Sequence, residues 1–286
     1  MRFTGRERIP RQGAVILCSN HTNAMCDALM LLRADDRQKV FVARADMFRI
    51  PWLAKVCTFL KIMPIYRTRD GLGEVRHNDV IMDKAVQILA DGVPFCIFPE
   101  GTHHASDGLL PLNKGIFRIA IQAAETLPAD VPVYIVPMGI RYRDWFHLWD
   151  EVEVEISEPM DIRHLLREKG EEQTPAQLIN TMREALTERL TTLAKRTPRP
   201  AVKHRGLRWT LLGLTAPLAA ACAMATLPIW VGRLIVNKVV EDDAFRNTVQ
   251  YGLQVLFFTL TLWTVIPFHW MLEEWLYQVR RLRPQA

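Results

Sequence analysis

Residues 14–43 read AVILCSNHTNAMCDALMLLRADDRQKVFVA, and this stretch decides the fold. Ala14–Cys18 is a short apolar run, the pattern of a strand buried on both faces. Ala24–Arg33 has helical spacing, and Lys39–Ala43 is a second strand. The alternation then continues. Phe48–Phe59 reads as a helix, Ile62–Tyr66 as a strand, and Asn78–Ala90 as a helix with a stripe of Val80, Ile81, Ala85, Ile88 and Leu89. Phe95–Phe98 is a strand, Lys114–Glu125 a helix and Val133–Pro137 a strand. Glu151–Ile156 alternates glutamate with Val or Ile, so one face is wet. Asp161–Lys169 and Pro175–Lys195 are helices, the second opened by Thr174 as N-cap and Pro175 at its first position. The expected fold is α/β, a mostly parallel central sheet flanked by helices over residues 1–195.

Beyond residue 195 the composition changes. The chain of 286 residues is 49% hydrophobic with a net charge of +5, and its near-zero mean hydropathy hides an uneven distribution. Residues 196–207 form a basic linker, and residues 208–286 read as a membrane-associated helical hairpin with a short basic tail. Trp209–Gly232 and Asn247–Leu272, of 24 and 26 residues, contain no Asp, Glu, Lys or Arg. A bilayer core of ~30 Å needs about 20 helical residues, so spans at about 209–232 and 249–272 are expected. Lys195, Arg196, Arg199, Lys203, Arg205 and Arg208 precede the first span, and Arg280, Arg281 and Arg283 follow the second. The positive-inside rule then places residues 1–195 on the cytoplasmic side of the cell membrane. The same basic belt attracts anionic phospholipid head groups.

This apolar fraction excludes disorder, and five scattered cysteines without a C-x-x-C pair exclude a disulfide scaffold. Gly71-Leu72-Gly73 lacks a third glycine and is no nucleotide loop. The positive surplus sits beside the hydrophobic stretches, so no nucleic-acid partner is expected. No secretory signal opens the chain, since Met1–Gln12 is polar and charged.

In a parallel sheet, ligands bind at loops that follow the carboxyl ends of strands. The loop after the first strand contains His21, with Asp27 six positions on. A neutral imidazole can take a proton while a carboxylate orients the ring and stabilises its charged form. Six residues of continuous helix rotate by about 600°, which would part the two side chains, so His21 must lie in the loop and Asp27 in the first turns of the helix. The loop after Phe95–Phe98 is Pro99-Glu100-Gly101-Thr102-His103-His104. It offers a carboxylate, open backbone and a hydroxyl, suited to a polyol phosphate. Lys114 opens a helix, where an ammonium and the helix N-terminus together favour an anion. Arg67, at the end of the third strand, could grip a phosphate through two hydrogen bonds. Zinc on His103, His104 and Asp107 is not expected, because adjacent histidines point apart.

Taken together, N-H-x(5)-D, an Arg closing a short strand, F-P-E-G-T and V-P resemble the glycerolipid acyltransferases: the glycerol-3-phosphate and 1-acylglycerol-3-phosphate acyltransferases. The resemblance covers about residues 3–160. Asn20-His21 to Asp27 matches the first block, Arg44 with Phe48, Pro51 and Arg67 loosely the second, Phe98-Pro99-Glu100-Gly101-Thr102 the third and Val136-Pro137 the fourth. It implies an acyltransferase catalytic domain over residues 1–195. It implies an acyl-CoA or acyl-carrier-protein donor as co-substrate, with no bound cofactor. It also implies His21 and Asp27 as the catalytic dyad and a glycerol-phosphate acceptor placed by Arg67, Glu100, Gly101, Thr102 and Lys114. His103 stands where relatives carry arginine, so the anion grip passes to His103, His104 or Lys114. Lys61 and Pro64 replace the Gly and Phe of the second block. Five residues separate His21 from Asp27 where four are usual, a spacing like that of the branch containing glycerol-3-phosphate acyltransferases of the yeast type. The chain begins 20 residues before His21, so this member either relies on its C-terminal hairpin or is shortened at its start.

The expected chemistry is single-step transfer to a hydroxyl of 1-acylglycerol 3-phosphate. Acylation of glycerol 3-phosphate is the alternative, and a silent lipid-binding membrane protein a further one. No G-x-S-x-G elbow is present for a covalent route, and Cys26 lies in an apolar helix pattern.

Overall fold

The computed structural model describes residues 1–66, 77–104, 108–143, 151–169, 172–195, 205–239, 249, 252 and 265–282. In order these form β1 (Arg2–Thr4), β2 (Ala14–Ser19), α1 (Ala24–Ala34), β3 (Val40–Arg44), a 3₁₀ turn (Ala45–Arg49), α2 (Pro51–Phe59) and β4 (Ile62–Ile65). There follow α3 (His77–Ala90), β5 (Phe95–Ile97), α4 (Gly115–Thr126), β6 (Val133–Tyr142), β7 (Val152–Ile156), β8 (Met160–Asp161), α5 (Ile162–Lys169) and α6 (Pro175–Ala194). The chain ends in α7 (Arg205–Ala225), α8 (Leu227–Val239) and α9 (Val265–Leu282). It divides into two compact units, one of Met1–Thr22, Cys26–Arg141 and Val152–Lys195, the other of Asn23–Met25, Tyr142–Glu151 and Arg196–Ala286.

In the first unit the strand order is β1-β7-β6-β2-β5-β3-β4, and β8 adds to β6 as an antiparallel edge. The β1–β7, β2–β5, β2–β6, β3–β4 and β3–β5 pairings are parallel. All six residues of β2 are buried, which explains why its sequence is a continuous apolar run rather than an alternation. Its neighbours β5 and β6 place Phe95, Ile97, Val133 and Ile135 in the core. The helices cover this sheet with Ala85 and Leu89 of α3, Ile116, Phe117 and Ala120 of α4, and Met182, Leu186 and Leu190 of α6. Thr174 caps α6 as expected, and the structure adds a reciprocal box with Gln177.

The sequence and the structure part at several edges. β1 was hidden because Arg-Phe-Thr has no apolar run, and its pairing with Glu153–Glu155 comes from β7 alone. β6 continues five residues past Pro137, where the proline made the strand look finished. The helix expected from Phe48 starts at Pro51, a residue suited to a first helical turn, and residues 45–49 form the tighter 3₁₀ turn. Beyond α2, Lys61 has φ 59°, a left-handed conformation that glycine adopts at no steric cost and lysine at about 1 kcal/mol or more.

In the second unit, α7 and α9 pack together through Ala219, Cys222 and Leu272, with Trp275 and Leu276 against them. Trp275 Nε1 donates to Leu212 O and to Thr215 Oγ1, both at 3.1 Å. Among the described residues one helical segment, Gly206–Met224, is long and apolar enough to cross a membrane, and only 17% of it is buried. The expected span at 209–232 is not one continuous helix. It breaks at Thr226, two residues before Pro228, which has no N–H for the helical ladder. Most of the expected span at 249–272 lies outside the described residues. Its end is carried by α9, which runs on through Glu273 and Glu274 to Leu282.

Candidate active site

Two strands bring the site together. β2 and β5 run parallel with Cys18 opposite Ile97, and the same offset carried past both strand ends sets His21 beside Glu100. Asn20 is fixed on the other side, where its side-chain Nδ2 donates to Ile140 O at 2.9 Å and its Oδ1 accepts from Ile140 N at 2.8 Å. A buried amide satisfied on both atoms leaves the loop one position at its root.

Between His21 and Asp27 the chain must reverse. Ala24 has φ 41°, an uncommon left-handed conformation for a residue with a side chain, and it opens α1. That turn lets the five-residue spacing deliver the contact: His21 Nδ1 lies 2.8 Å from Asp27 Oδ2. The Asp27 side chain is fully buried and that of His21 is 15% exposed. An ionised carboxylate only accepts, so Nδ1–H donates and the lone pair of the neutral ring is on Nε2. The His21 ring stacks on Phe98, with centroids 4.0 Å apart and planes within 10°. The His103 ring stands edge-on to it at 5.5 Å.

Glu100 turns inward. Its Oε1 accepts from His21 N at 2.7 Å, and its Oε2 accepts from Leu110 N at 2.7 Å and from His104 Nε2 at 2.8 Å. His104 N also donates to His21 O at 3.2 Å. A carboxylate with a fully buried side chain is tolerable only with partners of this kind. Both of its oxygens therefore brace the His21 loop. Gly101 has φ 69°, and a Cβ there would sit 2.4 Å from Asn113 Nδ2. That amide donates to Glu100 O at 3.0 Å while Asn113 N donates to Pro99 O at 2.7 Å, so the start of α4 is clasped to the turn.

The structure thus joins His21, Asp27, Glu100, Gly101 and His103 in one cluster. Thr102 is exposed on the same turn, and Lys114 is exposed directly after Asn113. Arg67 lies outside the described residues. Asn20, Phe98, His104 and Asn113 complete the site as supports. Asn20 and Phe98 stood within the motifs and His104 was a candidate anion grip, but their supporting roles, like that of Asn113 beside Lys114, were hidden because their partners are set by the fold.

The acyltransferase family model matches residues 1–141, which include β2, β5 and every residue of this cluster. Residues 1–141, just under half of the chain, are thus similar to the acyltransferase family. A Borreliella burgdorferi protein named 1-acyl-sn-glycerol-3-phosphate acyltransferase is 27% identical over 124 residues, 43% of this chain and 47% of that one. The human 1-acyl-sn-glycerol-3-phosphate acyltransferase alpha is 25% identical over 142 residues, 50% of this chain and 46% of that one. The chain spans about half the length of the curated relatives it matches. The crystal structure of the 1-acyl-sn-glycerophosphate acyltransferase PlsC from Thermotoga maritima aligns with a TM-score of 0.46 at 21% identity, covering 69% of this chain and 73% of that one.

Proposed function

We propose that this acyltransferase transfers a fatty acyl chain from an acyl thioester to the free hydroxyl of 1-acylglycerol 3-phosphate. The observation that carries the reading is the 2.8 Å contact between His21 Nδ1 and Asp27 Oδ2, which leaves Nε2 as the basic nitrogen of a part-exposed ring. In the transfer, His21 Nε2 takes the proton of the acceptor hydroxyl as its oxygen attacks the thioester carbonyl carbon. The C–S bond breaks, and the leaving thiolate receives that proton from the imidazolium. Asp27 stays ionised throughout and stabilises the charged ring. General-base catalysis of this kind supplies about 10²–10⁴-fold, and holding the two substrates together supplies much of the remainder.

A covalent acyl-enzyme is not required. The Cys26 thiol is pushed up to about 11, first by burial and then by the negative charge of Asp27, so it is a poor source of thiolate. The donor is a co-substrate, acyl-CoA or acyl-carrier protein, and the route uses no resident cofactor. The acceptor phosphate is received by the exposed side of the Gly101–His103 turn together with Lys114 and Arg67, while Glu100 acts by holding His21. The uncovered face of α7 supports attachment to the cell membrane, and the flanking basic residues support a cytoplasmic position for the first unit.

The five-residue spacing between His21 and Asp27 favours one second reading, acylation of glycerol 3-phosphate itself. Release of free CoA is therefore to be measured on membranes containing the full chain, with each acceptor in turn and several acyl lengths. Turnover with 1-acylglycerol 3-phosphate supports the first reading, and turnover confined to glycerol 3-phosphate supports the second. Silence with both, from folded protein, overturns the enzymatic assignment in favour of lipid binding.

A further inference from the structure

The first unit carries a surface that the reaction does not use. From Met47 to Tyr66 there is no Asp or Glu, while Arg49, Lys55 and Lys61 are all present and exposed. Within this stretch α2 buries Cys57 and turns Val56 and Phe59 outward, followed at its end by Leu60. Ile50, just before the helix, is exposed as well, and Phe59 is 83% exposed. At 3.6 residues per turn, Lys55, Val56, Phe59 and Leu60 fall within roughly 140° of one another around the helix. An apolar strip edged by lysines, with no acidic neighbour in its own segment, is the composition of a helix lying in a membrane interface.

The backbone adds a second observation. Lys61 has φ 59°, where glycine would be unstrained, and its exposed side chain places a positive charge at the end of the strip. The placement also suits the chemistry. β3 is parallel to β5, so the chain leaves β3 toward α2 at the same end of the sheet as the Glu100 turn. We infer that α2 and its flanking lysines form a second membrane contact, by which the first unit rests on an anionic phospholipid surface. The charge decides the occupant: a partner that is apolar and negatively charged over a broad area is a bilayer bearing acidic head groups.

The test uses the full chain reconstituted into vesicles. Phe59→Cys is labelled with an environment-sensitive fluorophore, and Glu168→Cys on exposed α5 serves as control. The unsubstituted chain gives the background from native thiols. Vesicles contain phosphatidylcholine alone or with phosphatidylglycerol, with and without a nitroxide lipid that quenches near the head groups. The expected result is blue-shifted emission at position 59, quenched at least twice as strongly in anionic as in neutral vesicles, with the control unaffected. Lys55→Glu with Lys61→Glu should bring quenching in anionic vesicles down to the neutral level. Emission at 59 that matches the control overturns the inference. So does a blue shift that the nitroxide lipid leaves unchanged, which would mean a protein partner or a second copy. This readout needs no turnover, so its failure is separable from failure of the acyl-transfer reading.

Discussion

At the site end of the sheet, Asn20, Asp27 and Glu100 are buried polar side chains, each with hydrogen-bond partners. Along α7, Leu207, Leu211, Leu214 and Leu218 are apolar side chains, each exposed. The first arrangement is what water enforces, because a polar group removed from it must find its partners inside the protein. The second costs free energy in water and almost none in hydrocarbon. The two regions therefore differ in the solvent that suits them, and the proposed membrane attachment rests on that difference.

Three substitutions would break or sharpen that contrast, and a fourth refines it. Asp27→Asn leaves the volume of the buried pair intact but removes the carboxylate that orients His21. Turnover is expected to fall about 10²–10⁴-fold with an unchanged circular dichroism spectrum. Full activity in that variant would make the buried pair architectural. Leu214→Lys puts a charge near the centre of Gly206–Met224, where insertion into a bilayer becomes less favourable by about 3 kcal/mol or more. The fraction of chain that stays with carbonate-washed membranes should drop. An exposed leucine facing water would tolerate the change within about 0.5 kcal/mol, and the chain would stay where it was.

Gly101→Ala forces a Cβ against the Asn113 amide and into a left-handed backbone. Urea unfolding should show a loss of about 1–3 kcal/mol, with activity reduced because the clasp on Glu100 moves. The smallest effect is expected of Ala24→Gly. It removes the steric cost of φ 41°, while the entropy of an added glycine opposes the gain. The net change in unfolding free energy should stay within about 1 kcal/mol.

Much of this was legible beforehand for a physical reason. β2 is buried on both faces and so writes itself as Ala-Val-Ile-Leu-Cys, and the His21 and Glu100 loops follow strands whose ends a parallel sheet lines up. The pairing of His21 with Asp27 could be expected, but not how the chain achieves it, since nothing in Asn-Ala announces a left-handed turn at Ala24. Glu100 shows the limit best. As a loop carboxylate it looked available to substrate, yet register against β2 points both oxygens at His21, Leu110 and His104. Asn20 is joined to Ile140, 120 positions away, and such a pairing exists only once the strands are in place. β1 was missed because its partner, rather than its own residues, makes it a strand, and the far half of β6 because Pro137 reads as a strand end.

The central claim is that the imidazole of His21 is the base that deprotonates the acceptor alcohol. The most direct measurement is the rate of CoA release by the full-length His21→Ala chain in membranes, with saturating acyl-CoA and 1-acylglycerol 3-phosphate. A drop of about 10²–10⁴-fold relative to the unsubstituted chain, with folding unchanged, is what the dyad requires. Turnover within a few-fold of the unsubstituted chain would contradict it.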